Sequence, residues 1–159
     1  MVRDVFFEGA WHPTVFFRDV WLPSVFELDD RLLLHVLDGA GSNHDPRDFT
    51  VAIREEHLHA LQDSLRRHIL LLGPLSPLCY QAGDRRDWDG EEAARLTDAV
   101  LLAEPAEVDR TLREVEIDRW VLIAHHGSIP LLDEHRYYEA MASPSLTWDV
   151  DLMRSLGLR

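Results

Sequence analysis

The sequence has no lysine. All 16 basic residues are arginine, against 29 acidic ones, and the formal net charge is −13. A field of that sign repels phosphate backbones, and no basic stripe with interleaved aromatics offsets it, so nucleic acid is not expected as a partner. The missing lysine reads as a codon-composition effect of a high-GC genome, and we give it no functional meaning. The acid excess serves solubility, and more sharply it fits a basic partner.

Cysteine is almost absent as well. Cys79 stands alone and can form no internal disulfide, which fits a reducing compartment. Its neighbours Pro77, Leu78 and Tyr80 favour an inert buried thiol over a nucleophile. No charged, apolar and small-residue leader opens the chain, and no apolar run reaches the roughly 18 to 20 residues of a bilayer span. A cytoplasmic protein with no membrane partner is therefore expected. Three chemical signatures are also missing: a Gly-Lys-[Ser/Thr] phosphate loop, an i, i+4 histidine pair on a helix, and a G-x-S-x-G elbow. No cofactor and no metal are expected, and enzymatic activity has no anchor in a motif.

With 159 residues, 46% apolar and 28% charged, the chain is long enough to bury a core without staples, and residues 1–159 read as one domain. Its start carries a doublet. Trp11-His12-Pro13-Thr14-Val15-Phe16-Phe17-Arg18-Asp19 is followed at once by Trp21-Leu22-Pro23-Ser24-Val25-Phe26-Glu27-Leu28-Asp29. Two copies are too few for a solenoid or propeller, and ten residues is about one strand plus a turn. In the first copy Trp11, Pro13, Val15 and Phe17 alternate to one side, with His12, Thr14 and Phe16 on the other. In the second, Trp21, Pro23 and Val25 share a face and Phe26 lies opposite. Both faces thus carry aromatic weight, and the face that does not pack on a helix needs a cover, from the later helices or from a second subunit.

Residues 1–53 read mainly as β. Val5–Phe7, Val15–Trp21, Val25–Leu28, Leu32–Leu37 and Phe49–Ile53 are apolar, β-rich runs between Pro, Gly and Asp breaks, which predicts an antiparallel meander of about four to five strands. Asp29-Asp30-Arg31 marks a tight turn. Residues 54–159 read mainly as α. Leu58, Leu61, Leu65, Ile69 and Leu72 form the stripe of one long amphipathic helix that packs on the sheet, with Gly73-Pro74 as its stop. Shorter helices are expected from Ser76-Pro77 to Gly83, from the cap Asp89 to about Ala103, from Pro105, from Asp118 to Ala124, from Pro130 to about Ala142, and from Thr147 to Gly157. The fold class is α+β.

Two places invite chemistry. The loop Asp38 to Asp48 gathers Gly39, Gly41, Asn43, His44, Asp45 and Arg47, a set able to approach, orient and protonate a small substrate, with His44 as acid/base and Asp45 and Arg47 orienting. A turn-rich connector between two strands has the same composition. The second place is His125-His126-Gly127, which closes an apolar segment; His125 is a catalytic candidate there, and capping of a helix end is favoured over metal ligation. Of the five tryptophans, Trp88 is the one expected at the surface, and for Trp11, Trp21, Trp120 and Trp148 core packing competes with an interface role. As interface candidates, Trp11 and Trp21 with Phe16 and Phe26 come from the doublet, and Trp88 stands exposed among charges.

The run Asn43-His44-Asp45-Pro46-Arg47-x-Phe49-Thr50, with Glu56-x-Leu58, Arg67-His68-Ile69-Leu70, Pro77-Leu78-Cys79, Pro105-Ala106-Glu107-Val108-Asp109 and Leu122-Ile123-Ala124-His125, resembles a family of small acidic bacterial proteins of unknown function. The likeness spans most of the chain beyond residue 20 and implies no activity, cofactor or site residue. The first twenty residues depart from it, so the first copy of the doublet reads as an addition. The expected function is non-enzymatic: binding of another protein, or self-association as a homodimer, with an immunity or antitoxin-like version fitting the charge and size. The alternative is a small-molecule or hydrolytic site under the Gly39–Asp48 loop.

Overall fold

The computed structural model describes residues 4–38, 47–83 and 87–157. Six strands come first: β1 Val5–Phe7, β2 Ala10–His12, β3 Thr14–Phe16, β4 Ser24–Leu28, β5 Arg31–Asp38 and β6 Arg47–Ile53. Eight helices follow: α1 Glu55–Asp63, α2 Leu65–Gly83, α3 Gly90–Leu102, α4 Pro105–Arg113, α5 Arg119–Ala124, α6 Ile129–Asp133, α7 Tyr137–Ala140 and α8 Val150–Ser155. This is an α+β fold. Strands β3 to β6 form an antiparallel meander in chain order, while β1 and β2 form a separate hairpin.

Both tight hairpins turn on two residues with positive φ, Glu8 and Gly9 in one and Asp29 and Asp30 in the other. Left-handed conformation at both central positions matches the twist of the flanking strands. It closes Phe7 on Ala10 and Leu28 on Arg31. Alternation along β4 to β6 then sorts side chains by face. Val25, Leu34, Val36, Phe49, Val51 and Ile53 enter the main core with the helices. On the other face Phe26 and Leu33 are buried with Val5, flanked by Phe7 and Leu28.

That second cluster answers what covers the outer face of the sheet. The β1–β2 hairpin folds over it, burying Val5 with Phe26 and Leu33. The doublet is correspondingly not two equivalent strands. Its first copy is split at Pro13 between β2 and β3, which belong to different sheets, and the expected strand Val15–Trp21 shrinks to Thr14–Phe16. A register shift between Thr14 and Phe16 marks the edge of the meander.

The long helix expected to end at Gly73-Pro74 is two helices, and the Gly-Pro pair does not stop the second. Ser64 is extended; its N–H donates to Ala60 O and its Oγ accepts from Arg67 N–H, ending α1 and capping α2. Helix α2 then runs on through Pro74 and Pro77. A proline lacks the N–H that would bond the carbonyl four residues back, so Pro77 leaves Gly73 O free. The Asp118 N–H donates to that carbonyl at 2.9 Å, with Ser76 Oγ 3.3 Å from Asp118 Oδ2. An interior proline thus becomes an attachment point for α5. Because sheet and helices surround it, α2 is apolar on several sides: Leu70, Leu71, Leu75 and Cys79 are all fully buried.

The stretch expected as one helix from Pro130 is broken into α6 and α7, with His135 at φ 58° between them. The last helix is capped by Asp149, whose Oδ1 accepts from Leu152 N–H, and not by Thr147.

Candidate functional site

Helix α5 is capped by Asp118, whose Oδ1 accepts from Trp120 N–H at 3.1 Å. Its other end is a Schellman turn. His126 N–H donates to Ile123 O and Gly127 N–H to Leu122 O, at 3.0 and 2.8 Å, with His126 itself left-handed at φ 72°. His125 Nδ1–H donates back to Val121 O at 2.8 Å, so the capping role expected of this segment is the one the geometry gives. Residues 145–149 complete the end, Ser145 N–H donating to His125 O and Asp149 N–H to Ala124 O. They also bring Trp148 onto the imidazole, edge-on at 5.7 Å.

The close turn leaves no room at Gly127. A Cβ there would stand 2.7 Å from Leu122 O and 2.8 Å from Met141 Sδ. Gly127→Ala is expected to destabilise the protein by about 1–3 kcal/mol as overpacking against backbone does, read as a lower urea midpoint at unchanged m. A midpoint equal to that of the parent would mean the turn opens freely.

Against this helix end lies a groove with two lobes sharing the wall Val20, Trp21, Leu37 and Leu72. One lobe, about 350 Å³, runs between the β1–β2 hairpin and the outer face of the sheet. His35 and Asp48 lie on its floor with Nε2 and Oδ1 2.6 Å apart. They meet because β5 and β6 pair Leu37 with Asp48 and His35 with Thr50, a diagonal that only the strand register reveals. The other lobe, about 300 Å³, is closed by His125, Trp148, Tyr80, Ser76 and Asp118. Trp21 and Trp148 pack on each other along it, tilted, with ring centroids 5.6 Å apart.

Two buried polar atoms on this groove have no hydrogen-bond partner among the described residues: Thr14 Oγ1 in the first lobe and His125 Nε2 in the second. His125 is fully buried. Burial pushes its pKa below the ordinary imidazole value; the bond to Val121 O and the charge of Asp19 offset this in part, and His126 adds to it. The ring is therefore neutral near pH 7, and its Nε2 presents a lone pair. The Asp48 carboxylate orients the His35 imidazole. Among the described residues no group of three or more His, Cys, Asp or Glu gathers for a metal.

The remaining sequence candidates scatter. His44 and Asp45 lie outside the described residues. Arg47 donates to Ala82 O at 3.0 Å and lies over the Phe49 ring, fastening the start of β6 to the end of α2 and not to the groove. Trp11 is exposed, edge-on to Phe6 at 5.1 Å, and Trp21 is 62% exposed. Phe16 packs on the core with its ring 5.6 Å from His68. Phe26 is fully buried and offers no surface. Trp88, expected to stand free among charges, is half-buried at 4.7 Å from Phe49 and donates Nε1–H to Thr50 O. Sequence reasoning passed over His35, set Thr14 on a strand face without a role, and read Trp148 as core. Strand alternation could have set His35 on the outer face with Leu33 and Leu37; nothing local marks the other two.

The model of a family of unknown function, DUF6357, matches residues 12–155. The chain belongs to DUF6357. The match reaches back past residue 20 to His12, so most of the first copy of the doublet is family sequence and not an addition. DUF6357 membership brings no activity to the groove. No curated protein and no solved structure matches the chain.

Proposed function

We propose that the protein works by binding and not by catalysis, and that the groove around Trp21 is its recognition surface. The observation that carries this is a run of exposed apolar side chains along the groove: Phe6, Phe17, Val20, Trp21, Leu37 and Trp148. Single exposed apolar residues are ordinary, but a contiguous set of this kind marks an interaction site. Rigid aromatics at its centre bury much area at little entropic cost, as binding hot spots do. The partner is a protein, a second copy included, and the net charge of −13 favours a basic one.

Native mass spectrometry with a pull-down from the source cell, repeated over a salt series, tests the reading. Trp21→Ala is expected to weaken the captured complex by about 2 kcal/mol, roughly thirtyfold, because Trp21 is the wall common to both lobes. A chain that stays monomeric and captures no partner at any salt, or whose complex ignores Trp21→Ala, overturns it. A second reading, a small-molecule site, is favoured by the two unpartnered atoms, since a ligand offering them hydrogen bonds would gain what the fold leaves unmade.

A further inference from the structure

We propose that the His125 lobe is a receptor for an organic ammonium group carried on an apolar or aromatic body. This rests on the small-molecule reading above and is independent of any protein partner.

The lone pair on His125 Nε2 decides the first requirement. Since Nδ1–H is spent on Val121 O, Nε2 can only accept, and it has no donor. An occupant has to bring an N–H or O–H. Carboxylates and ethers bring none. Asp118 decides the second. Its carboxylate lines the same lobe, and its hydrogen bonds come from neutral donors, Trp120 N–H and Ser76 Oγ. Among the described residues no arginine lines the lobe. Arg18, the cation nearest His68, is turned to Gln62 O and His68 Nδ1, and Arg119 to Asp133. A cation is attracted there and an anion is repelled.

The walls decide the third. Trp21, Trp148 and Tyr80 give the lobe three aromatic faces, and tryptophan is the best of the side chains for holding a cation over its ring. A volume of about 300 Å³ holds roughly ten water-sized groups at about 30 Å³ each. An arylalkylammonium of that size would lay its apolar body against the contacting pair Trp21 and Trp148 and turn its N–H donors toward His125 and Asp118.

Phenethylammonium, neutral 2-phenylethanol, phenylacetate and Nα-acetyl-lysine amide, each titrated into the intact protein by calorimetry, test the proposal. Phenethylammonium is expected to bind about tenfold more tightly than 2-phenylethanol, the worth of a desolvated cation–π contact, and phenylacetate not to bind. Trp21→Ala, a surface change that spares the core, should weaken phenethylammonium about tenfold. In the parent, binding should move the His125 15Nε2 resonance in the direction of a newly accepted hydrogen bond. Binding of the lysine amide at equal strength also supports the site and makes a protein side chain the source of the ammonium. Equal affinity for 2-phenylethanol, preference for phenylacetate, indifference to Trp21→Ala, or an unmoved His125 resonance each overturns the proposal. A failed pull-down leaves these titrations untouched, so the two readings fail separately.

Discussion

Phe26→Ala is expected to lose about 3–5 kcal/mol of stability, the usual range for removing a buried phenylalanine, and to unseat the β1–β2 hairpin first. Phe26 sits between two layers. Its ring lies 5.5 Å from Phe7 and from His12 and 5.9 Å from His35, so the sheet and the hairpin both close on it. Among the described residues the cluster it shares contains two other buried ones, Val5 and Leu33, and so small a core has little to collapse into the space left behind. Urea unfolding gives the total loss. Hydrogen exchange at the β1 and β2 amides gives its location, since a locally opened hairpin loses protection before the helices do. Trp11→Ala on the same hairpin is the comparison: Trp11 is 67% exposed, and its loss should stay within about 0.5 kcal/mol. If Phe26→Ala cost no more than Trp11→Ala, the hairpin would be held by something other than this cluster.

This pair also shows where the sequence was legible. Alternation places Phe26 opposite Val25 and so predicts that both faces of β4 carry weight; it does not say what covers the second face. The cover came from the segment immediately upstream, folded back on itself at Glu8-Gly9, a pair with little turn signature beyond its glycine. The helical half was legible wherever a cap stands alone, as at Asp89, Pro105 and Asp118. It failed where tertiary contacts rescue a breaker. Gly73-Pro74 reads as a stop, yet the helix continues through it and through Pro77, whose missing N–H leaves Gly73 O to be satisfied by Asp118. The groove was the least legible part. Of its wall only Trp21 was singled out, and His125 was weighed as a cap or a catalyst; that Trp148 roofs it, or that Thr14 and His125 keep unpartnered atoms on one groove, depends on contacts between residues more than twenty positions apart.

Acid should open the protein through His68. This imidazole is fully buried on α2, and its pKa falls from 6.5 to about 4, first through desolvation and then through the charges of Arg18 and His125, against the bond to Pro23. Its Nε2–H donates to Pro23 O at 2.7 Å, and its bare Nδ1 accepts from Arg18 Nη1 at 3.4 Å. A proton added at Nδ1 would face the guanidinium. The unfolded chain takes up that proton below its ordinary pKa, whereas the folded one refuses it until about pH 4. Stability is therefore fully present above pH 6.5, falls as the pH drops toward 4, and levels off below. At about 1.4 kcal/mol per pH unit across that window, the loss is about 3 kcal/mol. His125, depressed in the same direction, adds to it with the same sign. Denaturant unfolding of the parent and of His68→Gln at several pH values between 7 and 4 isolates the effect: the parent should lose stability steeply, and the variant, with no proton to take up at this site, should follow a flatter curve. Parallel curves would show that His68 is not the group that titrates. The consequence reaches the groove, because His68 holds both ends of the segment that carries Trp21, Arg18 on one side and Pro23 on the other. Binding at the Trp21 wall should then weaken over the same pH window even where the helices remain folded.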